Sequence, residues 1–197
     1  MRYAKGHKDE THQHIVKIAS QLFRKEGIEK IGIAVLMEKA GLTVGGFYNH
    51  FKSKEDLIKE AILSATDETY CRIFKPANDD RNNGLTMILK NYLSQKHRDA
   101  QEMGCVIATL SSELNNCSLA TRSVVAEKTK QIVKIIANLL PLTVSKKARN
   151  KTANAIWSLM LGTLQASRLA VKKDISNQIL KDGIASAIKL ATVTGEE

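Results

Sequence analysis

Three cysteines (Cys71, Cys105 and Cys117) and the histidines His7, His12 and His14 are the side chains whose chemistry would declare itself first. The cysteines form an odd set without a C-x-x-C pair, which argues against a disulfide framework or a zinc knuckle and for a reducing cytoplasm. A thiol sensor built on Cys105 and Cys117 would need an electropositive setting, and neither has a basic residue beside it in sequence. The histidines have no sulfur ligand among their neighbours, so no metal is assigned to them. The chain contains no G-x-S-x-G, H-E-x-x-H, Walker loop or dinucleotide fingerprint, and no paired carboxylates in a convincing pocket. The reading is therefore of a protein that is not an enzyme and takes no cofactor, with an all-helical enzyme or carrier as the weaker alternative.

One run has a different kind of chemistry: GLTVGGFYNHF, Gly41 to Phe51. Glycine inside a helix costs about 1 kcal/mol relative to alanine, so two in succession need compensation. Phe47 and Phe51, one turn apart, can supply it by packing on the buried side. Gly45 and Gly46 then fall on an exposed front, where the missing side chains let backbone approach a phosphate or a base edge closely. Tyr48 points outward, because the two phenylalanines already fill the inner face, and its hydroxyl suits a phosphate.

The surrounding elements read as helices throughout, and no segment shows strand alternation. Ile15, Ile18, Ala19, Leu22 and Phe23 recur at helical spacing up to Gly27, and Ile33, Leu36, Met37 and Ala40 repeat the pattern up to Gly41. Thr43 is placed to cap the segment carrying Val44, Phe47, Tyr48 and Phe51. Ser53, with Asp56 three residues on, opens the next helix. Two short helices separated by AGLT, followed by a capped third, have the spacing of a helix-turn-helix, whose second helix enters the DNA major groove. The excess of 30 Lys and Arg over 20 Asp and Glu agrees with a polyanionic partner, although an anionic membrane surface fits charge alone equally well. Arg2, Lys5 and Lys8 could form an arm to a minor groove, but read better as a frayed terminus. No apolar signal core or membrane-spanning run is present, so the expectation is a soluble cytoplasmic protein without a membrane partner.

Further on, Lys75 to Gly84 reads as a break rich in turn-forming residues. Helical spacing resumes over Leu85 to Leu93, over Val106 to Leu114, and toward Pro141. Ser145 caps a long helix that passes Trp157 and Met160, and Ile175, Ile179, Ile184 and Ile188 mark the last one. The fold class is all-α.

Residues 12 to 62 resemble the DNA-binding domain of the tetracycline-repressor (TetR) family, whose motif is matched by AGLTVGGFYNHFKSKEDL. Outside that domain the likeness is loose: length, helical pattern, and the GC that opens GCVIATLSSEL. The resemblance implies a three-helix DNA-binding domain over residues 1–62 and a helical ligand-binding and dimerisation domain over 63–197. It implies that Thr43, Val44, Gly45, Gly46, Tyr48, Asn49 and His50 face double-stranded operator DNA, and that Lys54 contacts a phosphate. Many relatives have a polar residue at Val44 and a hydroxyl at Gly46, so base hydrogen bonds are few here and Val44 can touch a thymine methyl. The resemblance also implies a homodimer, for which Gly162, Thr163, Ala166, Ser167 and Ala170 on one helix, and Ile184 and Ile188 on the other, could form a four-helix bundle. It further implies a cavity for an unidentified small-molecule effector between Gly84 and Ala170, where Tyr92, Met103, Cys105, Glu113, Trp157, Met160 and Gln165 lie. The function expected is a ligand-released repressor. The alternative within DNA binding is a protein without a small-molecule effector.

Overall fold

The computed structural model describes residues 7–193, the side chains of His7 and Val193 excepted. Arg2 and Lys5 lie outside the described residues. Among the described residues every regular element is helical.

Helix α1 (His7–Glu26) buries Ile15, Ala19 and Phe23 completely and keeps Asp9 and Glu10 in its first turn and Arg24 and Lys25 in its last, as the helix dipole favours. It ends at Gly27, whose φ of 97° only glycine adopts freely. Helix α2 (Ile33–Lys39) stops in a Schellman turn: Gly41 (φ 70°) donates to Glu38 O and Leu42 donates to Met37 O. A six-residue 3₁₀ segment, Val44–Asn49, follows, and then α3 (Lys54–Thr69), whose first amides are capped by Ser53 Oγ accepting from Asp56 N at 3.1 Å.

The expected division at residues 62/63 falls inside α3, and one apolar core runs from Ile15 to Ala191. The expected break at Lys75 also starts later. After α3 the chain makes a π turn, Tyr70–Phe74, and continues as α4 (Lys75–Asn78) before turning. Pro76 has no amide hydrogen to give, and the turn before it loosens so that Lys75 N donates to Tyr70 O, five residues back. Helix α5 (Gly84–Tyr92) then crosses α4 so closely that a Cβ on Gly84 would lie 2.3 Å from the Ala77 carbonyl oxygen.

The short α6 (Gln95–Asp99) and a 3₁₀ turn (Gln101–Met103) lead into α7 (Val106–Leu114), which bends at Leu110. Helices α8 (Leu119–Leu139) and α9 (Lys146–Leu169) are capped by Ser118 and Ser145. α9 packs on α7, α8 and α10 (Lys173–Val193). α10 folds back on α9, with Gly183 against Thr163 and Ser176 Oγ donating to Ser167 O at 2.5 Å.

Candidate nucleic-acid interface and effector cleft

The segment Val44–Asn49 is held from behind. Phe47 is fully buried, Phe51 nearly so, and their ring centroids lie 5.4 Å apart. The His12 ring of α1 stacks on Phe51 at 4.4 Å, and His12 Nε2 donates to the Glu60 carboxylate of α3 at 2.6 Å. This clamp presents Thr43, Val44, Gly45, Tyr48 and Asn49 to solvent, with Tyr48 67% and Val44 48% exposed. Nothing lies within 4 Å of a Cβ built on Gly45. Gly46 differs from the expectation of an open front: it is half-buried, and its Cβ position meets Met37 and Thr43 at 3.7 Å.

Thr43 occupies the N-cap position without a side-chain cap bond. The reason is the 3₁₀ winding. Gly46 N already donates to the Thr43 carbonyl at 3.0 Å, so that amide is not left for the hydroxyl. His50 is half-buried beside His12 and Phe51. Its pKa is lowered by burial first, then by the charges of His12 and Lys8, and its Nδ1 is enclosed. Lys54 is half-buried as well and donates to Ile28 O at 3.1 Å, so one hydrogen of its ammonium braces the α1–α2 turn. An ammonium has three donors, two of which this bond leaves available.

Two polar contacts join this head to the rest of the molecule. Arg24, fully buried, donates to Ser20 O, to Ser20 Oγ, to Glu68 of α3 (2.9 Å) and to the Gly104 carbonyl (3.0 Å) just before α7. Glu113 of α7 accepts from the amides of Ile28 (2.7 Å) and Glu29 (3.2 Å) in the α1–α2 turn. The same carboxylate lies 2.9 Å from the Cβ position of Gly27, so both the φ and the space there require glycine. Neither contact was expected. For Arg24 the only sequence signal is a place on the apolar stripe between Phe23 and Gly27, four residues after Ser20.

Inside the body, Phe74, Tyr92 and Trp157 form an aromatic cluster with centroids 5.5–6.2 Å apart, and His97 stands edge-on to Tyr92 at 4.7 Å. His97 is buried and its tautomer is set from both sides: Nδ1–H donates to Tyr92 O (2.6 Å), and Nε2 accepts from Cys105 N (2.9 Å). Burial, opposed by the bond to Tyr92, pushes its pKa down to about 4. Arg168 of α9 donates to the carbonyls of His97 and Arg98 and to Thr109 Oγ1, tying α9 to α6 and α7. Outside this packed centre a cleft of about 430 Å³ opens between the π turn, α5 and α6, with Met103 on its wall.

A family model for bacterial regulatory proteins of the tetR family matches residues 15–61, which include Phe47, Phe51 and Glu60 but not His12. Over those residues the chain is similar to the tetR family. The HTH-type transcriptional regulator AcrR of Shigella flexneri is 39% identical over 59 residues, 30% of this chain. Those residues are 27% of AcrR, so the chain spans about a quarter of that relative. Over whole chains the likeness is one of fold. NemR of E. coli in its reduced form superposes with a TM-score of 0.76 at 21% identity, over 91% of this chain and 96% of NemR. AibR, crystallised with isovaleryl coenzyme A and operator DNA, gives 0.66 at 17% identity over 89% and 97%.

On this shared fold, the residues expected around a cavity separate. Tyr92, Cys105, Trp157 and Met160 are closely packed core, and burial raises the pKa of the Tyr92 hydroxyl and of the Cys105 thiol. Glu113 is committed to the head, and Gln165 donates to Ala108 O near the bend in α7. Only Met103 of the seven lines the cleft. The residues expected at a dimer contact separate too. Gly162, Ala166 and Ile188 are exposed and Ala170 and Ile184 half-buried, whereas Thr163 and Ser167 are buried against α10 of the same chain. Beside the exposed Gly162, Ala166 and Ile188 stand Ala155 and Leu169 on α9, the last 82% exposed, and Ile175 and Leu190 on α10, with Leu159 and Ile179 half-buried.

Proposed function

We propose that this chain is a transcriptional regulator of the tetR family, acting as a repressor in the cytoplasm, that binds operator DNA as a homodimer and is released by a small-molecule effector. The observation that carries the reading is the head itself. Gly45 and the exposed Thr43, Val44, Tyr48 and Asn49 stand on two buried phenylalanines, so backbone and a few short side chains reach the groove from a rigid base. No described helix is long and apolar enough to cross a membrane. The reading needs no catalysed step.

The dimer is supported by the solvent-facing rows of α9 and α10. Leu159, Gly162, Ala166 and Leu169 on one helix, and Ile175, Ile179 and Leu190 on the other, suit a bundle of four helices from two copies. Release is supported by the two joints: an effector that shifts the α6–α7 region displaces Gly104 and Glu113, and with them the ends of α1 and the α1–α2 turn. In that arrangement the separation of the two heads no longer matches half-sites about 34 Å apart. AibR, with a ligand and DNA in one crystal, is a precedent for both partners on this fold.

The test is fluorescence anisotropy with duplexes tiled across the protein's own promoter, at several salt concentrations. A specific site retaining preference over competitor DNA as salt rises supports the reading. Equal affinity for every duplex at every salt overturns it.

A further inference from the structure

We propose that the cleft between the π turn, α5 and α6 takes a small amphipathic anion, a compact apolar body ending in one carboxylate or sulfonate, with Arg72 and Lys96 holding the charge. This rests on the effector reading above and names the class of molecule the cleft would admit.

The cleft has room for roughly a dozen waters, or an organic molecule of that bulk, at ~30 Å³ for each water. Ile73, Ala100 and Met103 make its wall apolar, and Asn91 and Ser94 add neutral hydrogen-bonding groups. Its two charged side chains, Arg72 and Lys96, are both cationic, and no carboxylate lines it. Neither forms an ion pair among the described residues. Behind the wall Arg168 is also without a carboxylate, its donors going to two carbonyls and a hydroxyl. Arg72, Arg168 and Arg24 all act on His97 in the direction that disfavours a further positive charge there. His97 itself offers no charge, since both its ring nitrogens are engaged. The cleft is therefore a concave, partly apolar site at positive potential, which selects an anion with a hydrophobic body.

The other basic side of the molecule makes a contrast. A cleft by Arg24, Lys25 and Lys30 is balanced by Glu26, Glu29 and Glu113. A third, with Arg81 and Arg149, carries no carboxylate but adjoins none of the residues that reach the head. The Arg72 cleft does. Arg72 Nη2 donates to the Met103 carbonyl at 2.8 Å, and the next carbonyl, Gly104 O, is the one Arg24 holds. Met103 Sδ also meets Gln21 Nε2 of α1 at 3.5 Å. An anion drawn onto Arg72 bears on the loop that α1 touches.

The experiment uses full-length protein and two fluorescent probes, 8-anilinonaphthalene-1-sulfonate and its uncharged counterpart N-phenyl-1-naphthylamine. Sulfonate binding weakens by about three- to tenfold in Lys96→Gln, and again in Arg72→Gln, while the neutral probe changes little. Arg149→Gln serves as the control and leaves both probes unchanged. Octanoate displaces the sulfonate probe and octanol at equal concentration does not. Lys96 is exposed, so its variant stays informative if Arg72→Gln is unstable. The proposal is overturned if Lys96→Gln binds the sulfonate as well as wild type, if both probes weaken alike, or if Arg149→Gln alone loses it. None of these readings involves DNA. A site confirmed here that leaves promoter affinity unaltered would count against effector release and not against the cleft.

Discussion

The guanidinium of Arg24, closed off from solvent on α1, donates to the main-chain oxygen of Gly104, 80 residues away, while its other side pairs with Glu68. A charge in that position is tolerable only because every direction it faces holds an acceptor. It makes the last turn of α1 and the entry to α7 one hydrogen-bonded unit.

Replacing Arg24 by Met keeps the stem and removes the donors, leaving the Gly104 and Ser20 oxygens buried without them. The expected cost is roughly 2–4 kcal/mol, below the full penalty of a broken buried pair because Glu68 remains partly hydrated. Glu68→Gln should cost under about 1 kcal/mol. Urea unfolding of both variants measures the difference; equal losses would show that the pair, and not the carbonyl contact, is what matters.

Glu113→Ala should loosen one turn without unfolding the chain. The amides of Ile28 and Glu29 lose their acceptor, so their hydrogen exchange should accelerate while the core amides of α9 stay protected. Unchanged exchange at these two positions would mean that the α1–α2 turn is held by other contacts.

Gly45 and Gly84 should respond oppositely to alanine. At Gly45 the space is open, so Gly45→Ala should leave stability unchanged or raise it by up to about 1 kcal/mol. Its operator affinity should nevertheless fall, because a methyl now stands between backbone and groove. At Gly84 the added methyl meets the Ala77 carbonyl oxygen at 2.3 Å and Leu139 at 2.8 Å, and the α4–α5 crossing should lose about 2 kcal/mol or more. Thermal melts and anisotropy titrations of the two variants separate the effects.

His97 gives a pH signature. Its pKa is about 4 in the folded chain against about 6.5 when unfolded, so between these values the unfolded chain binds the extra proton. Stability should therefore fall as pH drops from about 6.5 to about 4, by an amount on the order of 3 kcal/mol, with no further loss from this group below that. In His97→Gln the slope over this window should flatten. A wild-type slope no steeper than the variant's would show that the imidazole is not held neutral.

Local chemistry was legible wherever neighbours in sequence are neighbours in space. Phe47 and Phe51 at one-turn spacing announce a buried side, Gly41 a helix end, and Ser53 and Ser145 their caps, because each acts within a turn or two. α6 was missed because five residues are too few to show a period. The bonds of Glu113 and Lys54 to backbone groups 85 and 26 residues distant were not legible, since nothing nearby in the chain names such partners. Thr163 and Ser167 looked like contact residues because small side chains suit any close helix pair, whether in one chain or two.

The loosened turn at Tyr70–Phe74 sets the angular phase between the two ends of the long rod that starts at Lys54. Each residue in an α-helix advances the chain by about 100°, and the wider turn takes up one residue more than an α turn, so a residue added or removed elsewhere in the rod would swing Ala77 and the α4–α5 crossing around the axis. The rod therefore behaves as a cranked shaft. Its crank angle decides which way the body faces when the head is seated.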